Sequence, residues 1–341
     1  MRDKIGVLER SFPSNSWKKK RYRMARIVIP DDSPPQIKGT KALEKLEKWG
    51  EIELYNERAS SEEEFIGRIK EARVVVNIRA YSKFTREVLG QCSPSLKLLS
   101  VLGTGVDNID LSAAREYGIL VTNTPGFAAP AVAEHALTLM LAASRQITQL
   151  DKGVRNGEWP RGLVQQLFGK TLGIVGLGAI GGHLARLAKG IGMRVIAWTF
   201  HPSGERAEEY GVEFVSFHDL FRQADVISVN LRLSDKTTDL VGKKEFDLMK
   251  STAILVNTAR GAIVNKEALI DALTYGKIAG AGLDAFHEEP IPPDDPFLKL
   301  ENVVLTPHSA GMTPETIEKG AQMAVDNVIN FLKGNPTNMV K

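Results

Sequence analysis

The sequence predicts an α/β protein made of two doubly wound parallel-sheet domains, and three observations carry that prediction. The 341 residues exceed what one hydrophobic core ordinarily organises, so two domains of common size are expected, with a single large barrel as competitor. From Arg26 onward, short apolar or β-branched runs alternate with stretches of helical length and period. The runs are nearly continuously apolar, as strands must be when crossover helices cover both sheet faces.

In order, the first series places strands at Arg26–Pro30, Glu51–Tyr55, Arg73–Ile78, Lys97–Leu102 and Ile119–Thr122, with helices such as Lys41–Lys48, Ser61–Ala72 and Leu111–Tyr117 between them. One helix is expected over Pro130–Gln149. Val132, Ala136, Leu139, Met140 and Ala143 form one apolar stripe of it, and Ala133, Leu137 and Leu141 line the other side. A helix apolar on both sides has to be buried on both, so it is expected to link the domains and to pack against a second subunit in a homodimer. The second series has strands at Thr171–Val175, Met193–Thr199, Glu213–Val215, Asp225–Asn230, Ala253–Asn257, Ala279–Leu283 and Asn302–Leu305. A last helix, Pro314–Leu332, stops at Gly334 and is expected to return the chain to the first domain. The division expected is residues 24–122 with 312–341 in one domain and 123–311 in the other. No solenoid repeat or low-complexity segment is present.

The formal charge of +3 misleads, because residues 1–23 hold eight of the 44 Lys and Arg against only Asp3 and Glu9, and the remainder is mildly acidic. The run Lys18-Lys19-Lys20-Arg21 could serve as a tail for nucleic acid or an anionic surface. It lacks aromatic interleaving beyond Trp17 and Tyr22, so a disordered extension is expected, and no nucleic-acid partner. Met24 reads as a natural start, since a strand follows at once. Cys92 is the only cysteine, which excludes an internal disulfide and a thiolate zinc cluster, and no metal site is expected. No apolar run approaches the roughly 18 residues of a membrane span, and a cytoplasmic protein is expected.

Gly176-x-Gly178-x-x-Gly181 follows the strand Leu172–Val175 and opens a helix, the context that separates a dinucleotide phosphate loop from a chance match. The first glycine permits a tight turn, the second lets the backbone approach a pyrophosphate, and the third lets helix and strand pack closely. Free N–H groups at the helix start then hold the anion. At the end of the next strand, where a carboxylate would bind the ribose hydroxyls of NAD, the chain reads Ala197-Trp198-Thr199-Phe200-His201-Pro202. Without that carboxylate the 2′-phosphate of NADP is not repelled, and Thr199, His201 and Arg206 could approach it. NADP is therefore slightly favoured over NAD.

Three polar residues stand at carboxyl ends of strands in the second series, where open α/β sheets bind ligands. Arg260 follows Leu255–Ala259, Glu289 comes shortly after Asp284-Ala285-Phe286, and His308 follows Leu305-Thr306-Pro307. Singly, each has a structural reading: a surface arginine, a solvated carboxylate, a buried histidine. Together with the glycine loop, the segments Asn257–Gly261, Ala281–Phe286, Glu288-Glu289-Pro290 and Thr306-Pro307-His308 resemble the D-isomer-specific 2-hydroxyacid dehydrogenase family. Asn123-Thr124-Pro125-Gly126 and Ala133-Glu134 match as well, and the likeness covers nearly all of residues 24–332.

The resemblance implies a Rossmann cofactor domain, a flavodoxin-like substrate domain and a cleft between them. It implies hydride transfer between a nicotinamide cofactor and a small 2-oxo or D-2-hydroxy acid, with glyoxylate or hydroxypyruvate favoured. His308 would be the general acid, Glu289 would keep its ring charged and oriented, and Arg260 would clamp the substrate carboxylate. Cofactor contacts would come from Gly176, Gly178, Ala179, Ile180, Gly181, Thr199, His201, Thr258, Ala259 and Gly311, with Asp284 at the nicotinamide carboxamide. On the substrate side, the two-glycine loop Leu102–Asp107 offers Thr104 and Gly105, and Arg79 matches a further position, although Ala80 and Tyr81 depart from the commoner continuation. His135, His183, His218 and His287 are read as structural or exposed. Two alternatives stay open: a weakly active dinucleotide-sensing scaffold of the corepressor type, and a short 3-phosphoglycerate dehydrogenase-like enzyme. Length speaks against a form with a carboxy-terminal regulatory domain.

Overall fold

Runs such as Val74-Val75-Val76-Asn77 are too short and too β-branched for helices and too apolar for an exposed sheet edge. A computed structural model describes residues 25–78 and 81–340 and assembles such runs into two sheets. The basic extension and Arg79 lie outside the described residues. Contacts divide the chain into one unit running to Thr124 and resuming at Ala321, and a second spanning Pro125–Gly320. Both boundaries lie toward the carboxyl terminus of the expected 122/123 and 311/312, the second of them within the helix Pro314–Leu332.

The first unit has strands β1 (Arg26–Ile29), β2 (Glu51–Leu54), β3 (Val74–Asn77), β4 (Leu98–Val101) and β5 (Leu120–Thr122), all parallel, in the order β2-β1-β3-β4-β5. Helices α1 (Lys41–Leu46), α2 (Glu62–Ile69), α3 (Arg86–Cys92) and α4 (Leu111–Glu116) connect them. Each helix starts on a side chain that accepts from a first-turn amide: Thr40, Ser61, Thr85 and Asp110. Val28, Val75, Leu99 and Val121 pack against Phe65, Phe84 and Leu89 in one core. Arg68 of α2 is buried; it donates to the carbonyls of Pro30 at 2.7 Å and Glu57 at 2.8 Å, pairs with Glu64, and lies over the Tyr55 ring.

The second unit begins with α5 (Ala129–Ser144) and α6 (Ile147–Arg155). The single helix expected over 130–149 is therefore corrected to two. Gln146 takes a left-handed backbone, φ 49°, which ends one helix and redirects the chain into the next. Strands β6 (Thr171–Val175), β7 (Arg194–Trp198), β8 (Glu213–Phe214), β9 (Val226–Val229), β10 (Ile254–Asn257), β11 (Gly280–Leu283) and β12 (Val303–Leu305) follow, with α7 (Ala179–Gly190), α8 (Gly204–Tyr210), α9 (Phe217–Gln223), α10 (Lys243–Leu248) and α11 (Lys266–Thr274) as crossovers. The sheet is parallel in the order β12-β11-β10-β9-β6-β7-β8, the doubly wound order in which the winding direction reverses between β6 and β9. Side chains alternate between two cores: Leu255 faces the one with α9, α10 and α11, while Ile254 and Val256 face the one with α5 and α7. The last helix, α12 (Pro314–Leu332), matches its expected bounds. Among the described residues no helix is long and apolar enough to cross a membrane, and no cluster of potential metal ligands occurs.

Arg68→Leu keeps the bulk of the side chain and leaves the Pro30 and Glu57 carbonyls without their donor. It is expected to destabilise the fold by about 2–4 kcal/mol, read as a lower urea midpoint with an unchanged m-value.

Candidate active site

A tight turn leaves β6 at Gly176, whose φ of 102° belongs to the left-handed region and whose Cβ would stand 2.8 Å from the Asn230 carbonyl oxygen. The Gly176 amide bonds the Trp198 carbonyl at 2.8 Å, tying the turn to the end of β7. A Cβ on Gly181 would overlap the Gly176 carbonyl, so α7 can start this close to the strand only with glycine there. Gly178 caps α7 with open space around it, and the first amides of the helix, Ala179, Ile180 and Gly181, have no intrahelical partner. That geometry suits a pyrophosphate. Two buried side-chain atoms at neighbouring strand ends, Asn230 Oδ1 after β9 and Thr258 Oγ1 after β10, have no protein partner. They fit a polar ligand crossing the strand ends. Thr258 was expected in such a role; Asn230 was not, although its position one residue past an apolar strand is the same signal.

The loop after β7 carries Thr199, half-buried, and His201, exposed. Arg206 of α8 donates to the Leu177 carbonyl inside the glycine turn at 3.0 Å and to the carbonyl of His201. A cation thus bridges the two loops where a carboxylate is absent.

Arg260, Glu289 and His308 are brought together. His308 Nδ1 lies 2.7 Å from Glu289 Oε2, with the two side chains 39% and 37% exposed. The Phe286 amide donates to Glu289 Oε1 at 3.0 Å. A Cβ on Gly261 would overlap the Phe286–His287 peptide, so the loop after Arg260 packs directly on the loop bearing Glu289. Arg260 donates to the Ala259 carbonyl at 2.9 Å, and Asn257 holds this loop through the Arg260 carbonyl and the Ala259 amide. Burial pushes the Glu289 carboxyl up, but the His308 hydrogen bond and charge, the Phe286 amide and the Arg260 charge outweigh it and hold the group below its ordinary range.

Asp284, the residue expected at the nicotinamide carboxamide, is anchored to the His308 loop. It is 1% exposed, and its oxygens are occupied by the loop that carries His308: Thr306 Oγ1 at 2.7 Å and the Ser309 amide at 2.8 Å on Oδ1, and the Ala310 amide at 3.0 Å on Oδ2. Gly311 follows this anchored stretch, 3.6 Å in Cβ terms from Ala128. Burial raises the Asp284 carboxyl, and the bonds from His135, Thr306, Ser309 and Ala310 more than offset it, leaving the group below its ordinary range. Thr104 and Gly105 belong to the first unit. There Thr104 donates to the Thr124 carbonyl at 3.3 Å and its own carbonyl accepts from Asn123 at 2.8 Å, which fixes the loop after β4.

Residues 137–310 match the family model described as D-isomer specific 2-hydroxyacid dehydrogenase, NAD binding domain. The chain is 41% identical over 323 residues to a glyoxylate reductase of Korarchaeum cryptofilum, covering 92% of this chain and 95% of that one. It is 41% identical to a D-3-phosphoglycerate dehydrogenase of Archaeoglobus fulgidus over 86% of this chain and 56% of the relative. Among solved structures, an acyclic imino acid reductase in complex with NADPH and D-arginine superposes with a TM-score of 0.84 at 30% identity, covering 93% of this chain and all of that one.

Asp284 titrates below its unfolded-chain value of about 3.9, so as pH falls the unfolded chain takes up the proton first. Its stabilisation is present above about pH 4 and is lost as pH drops through the lowered native value. Asp284→Asn is therefore expected to lower the urea midpoint at neutral pH and to make its decline between about pH 4 and pH 2 shallower than in the parent.

Proposed function

The chain belongs to the D-isomer-specific 2-hydroxyacid dehydrogenase family, and on that footing we propose that it reduces a small 2-oxo acid, glyoxylate or hydroxypyruvate, to the D-2-hydroxy acid, with His308 as the proton donor. The observation that carries this reading is the 2.7 Å contact between His308 Nδ1 and Glu289 beside Arg260. An ionised Glu289 engages Nδ1, which leaves Nε2 as the nitrogen that gives its proton to the carbonyl oxygen. Arg260 holds the substrate carboxylate with its fork of donors and polarises the carbonyl. The bound nicotinamide supplies the hydride to the carbonyl carbon. His308 is left neutral and, being partly exposed, regains a proton from solvent. In the reverse direction it takes up the hydroxyl proton.

The Gly176–Gly181 turn would hold the pyrophosphate through the amides of Gly178, Ala179, Ile180 and Gly181. Thr258, Ala259, Gly311 and the spare acceptor capacity of Asp284 Oδ2 would hold the nicotinamide half. At the adenosine end, Thr199, His201 and Arg206 favour NADP over NAD. Support comes from the missing carboxylate after β7 and from the Arg206 guanidinium between the two loops. A homodimer is proposed through α5 and the segments after it, where Leu141, Ile147, Val154, Trp159 and Leu163 are exposed.

A panel of 2-oxo acids with NADPH and NADH, followed at the nicotinamide absorbance, tests the reading. His308→Ala is expected to cost about a hundredfold to ten-thousandfold in kcat, and Arg260→Ala is expected chiefly to raise KM for the acid. Parental kcat in His308→Ala together with a parental KM in Arg260→Ala would refute the assignment. Thr199→Asp is expected to shift preference toward NADH, and an unchanged NADPH to NADH ratio would remove the case for NADP.

A further inference from the structure

The hold on the His308 loop reaches one side chain beyond the residues considered so far. Asp284 takes the Thr306 hydroxyl on one side of His308 and the Ser309 and Ala310 amides on the other, so a single buried carboxylate suspends both flanks. His308 itself has φ 51°, a left-handed conformation that a side chain of this size keeps when its flanks impose it. Its amide bonds the Thr306 carbonyl at 3.0 Å, closing a turn over Pro307. From α5, His135 Nε2 comes within 2.9 Å of Thr306 Oγ1 and 3.5 Å of Asp284 Oδ1. A threonine hydroxyl has one proton to give. Thr306 sends it to the carboxylate, so toward His135 the hydroxyl is an acceptor and His135 Nε2 is the atom that carries hydrogen.

We infer that His135 is a positioning residue for the reaction: its Nε2–H directs the Thr306 hydroxyl onto Asp284, and that chain sets the loop conformation from which His308 meets Glu289. Nothing in the spacing of the sequence connects His135 to His308, which lie on α5 and beyond β12. Without the imidazole, the Thr306 hydroxyl is free to rotate off the carboxylate. The amino-terminal flank of His308 then keeps only the main-chain bond of the Thr306 amide to the Leu283 carbonyl, at 2.9 Å, while the Ser309 and Ala310 bonds remain. A flank that has lost its side-chain bond to Asp284 lets the imidazole shift from the Glu289 carboxylate, and displacement of a reacting group by about 1 Å can cost a hundredfold in rate. The glycine turn lies outside this chain of bonds, and Thr306 and His135 meet Asp284 at Oδ1 and not at Oδ2, the oxygen proposed for the nicotinamide half.

The inference rests on His308 being the proton donor, so His308→Ala is run beside His135→Ala, His135→Gln and Thr306→Val, with glyoxylate and NADPH. His135→Ala and Thr306→Val are expected to lower kcat by about tenfold to a hundredfold, with the Kd of NADPH, read by its fluorescence, unchanged. His135→Gln, whose amide N–H can reach the hydroxyl, is expected to recover most of the loss. In the cofactor-free protein, the His308 ring resonances, identified by their absence from His308→Ala, are expected to move in His135→Ala and to return in His135→Gln. Parental turnover in His308→Ala would strike the proton-donor reading itself. An inactive His308→Ala beside parental kcat in His135→Ala and Thr306→Val, with His308 resonances unmoved, would overturn the role of His135 alone. Equal losses of kcat and NADPH affinity, or a glutamine variant no better than alanine, would overturn it too.

Discussion

In a parallel sheet every crossover must carry the chain back to the edge where the strands begin, so the carboxyl ends of all strands open onto one edge. The second unit depends on that constraint. Gly176 after β6, Thr199 after β7, Asn230 after β9, Thr258–Arg260 after β10, Asp284 after β11 and the Thr306–Ala310 loop after β12 share this edge because the sheet order places their strands side by side. Residues 132 positions apart, such as Gly176 and His308, become members of one site with no local sequence signal joining them. The close packing of Gly261 on the Phe286–His287 peptide then turns a shared edge into a specific constellation.

Two carboxylates at that edge are both held ionised, for different purposes. Asp284 is almost wholly buried and spends its charge on backbone and hydroxyl donors, where it acts as a strut. Glu289 is one-third exposed and spends its charge on an imidazole, backed by a single amide and the field of Arg260. A buried charge without such partners would be neutralised by protonation. The donors therefore let Asp284 stay charged at nearly full burial, whereas Glu289 stays partly open to water.

Features that depend on residue type at a fixed offset from a strand end were legible in the sequence: the glycine turn, the parallel class, and the grouping of Arg260, Glu289 and His308. Features carried by the main chain were not. Any residue but proline at 309 and 310 would offer the amides that Asp284 accepts, so no side-chain pattern announces this anchorage. The break at Gln146 was hidden as well, because neither glycine nor proline marks it and the apolar periodicity on either side reads as one helix. Arg206 was legible as a candidate for the adenosine end, but its bond to the Leu177 carbonyl, an acceptor every residue carries, was not. His135 was read as structural because a lone histidine on an apolar helix carries no sign of its distant partner.

The glycine turn, Arg260, Glu289, His308 and the network that anchors the His308 loop all fall within the single unit Pro125–Gly320. Their mutual spacing is consequently fixed within one sheet and its packed helices. A substitution elsewhere in the chain can reach this constellation only through the sheet and the two cores that carry it.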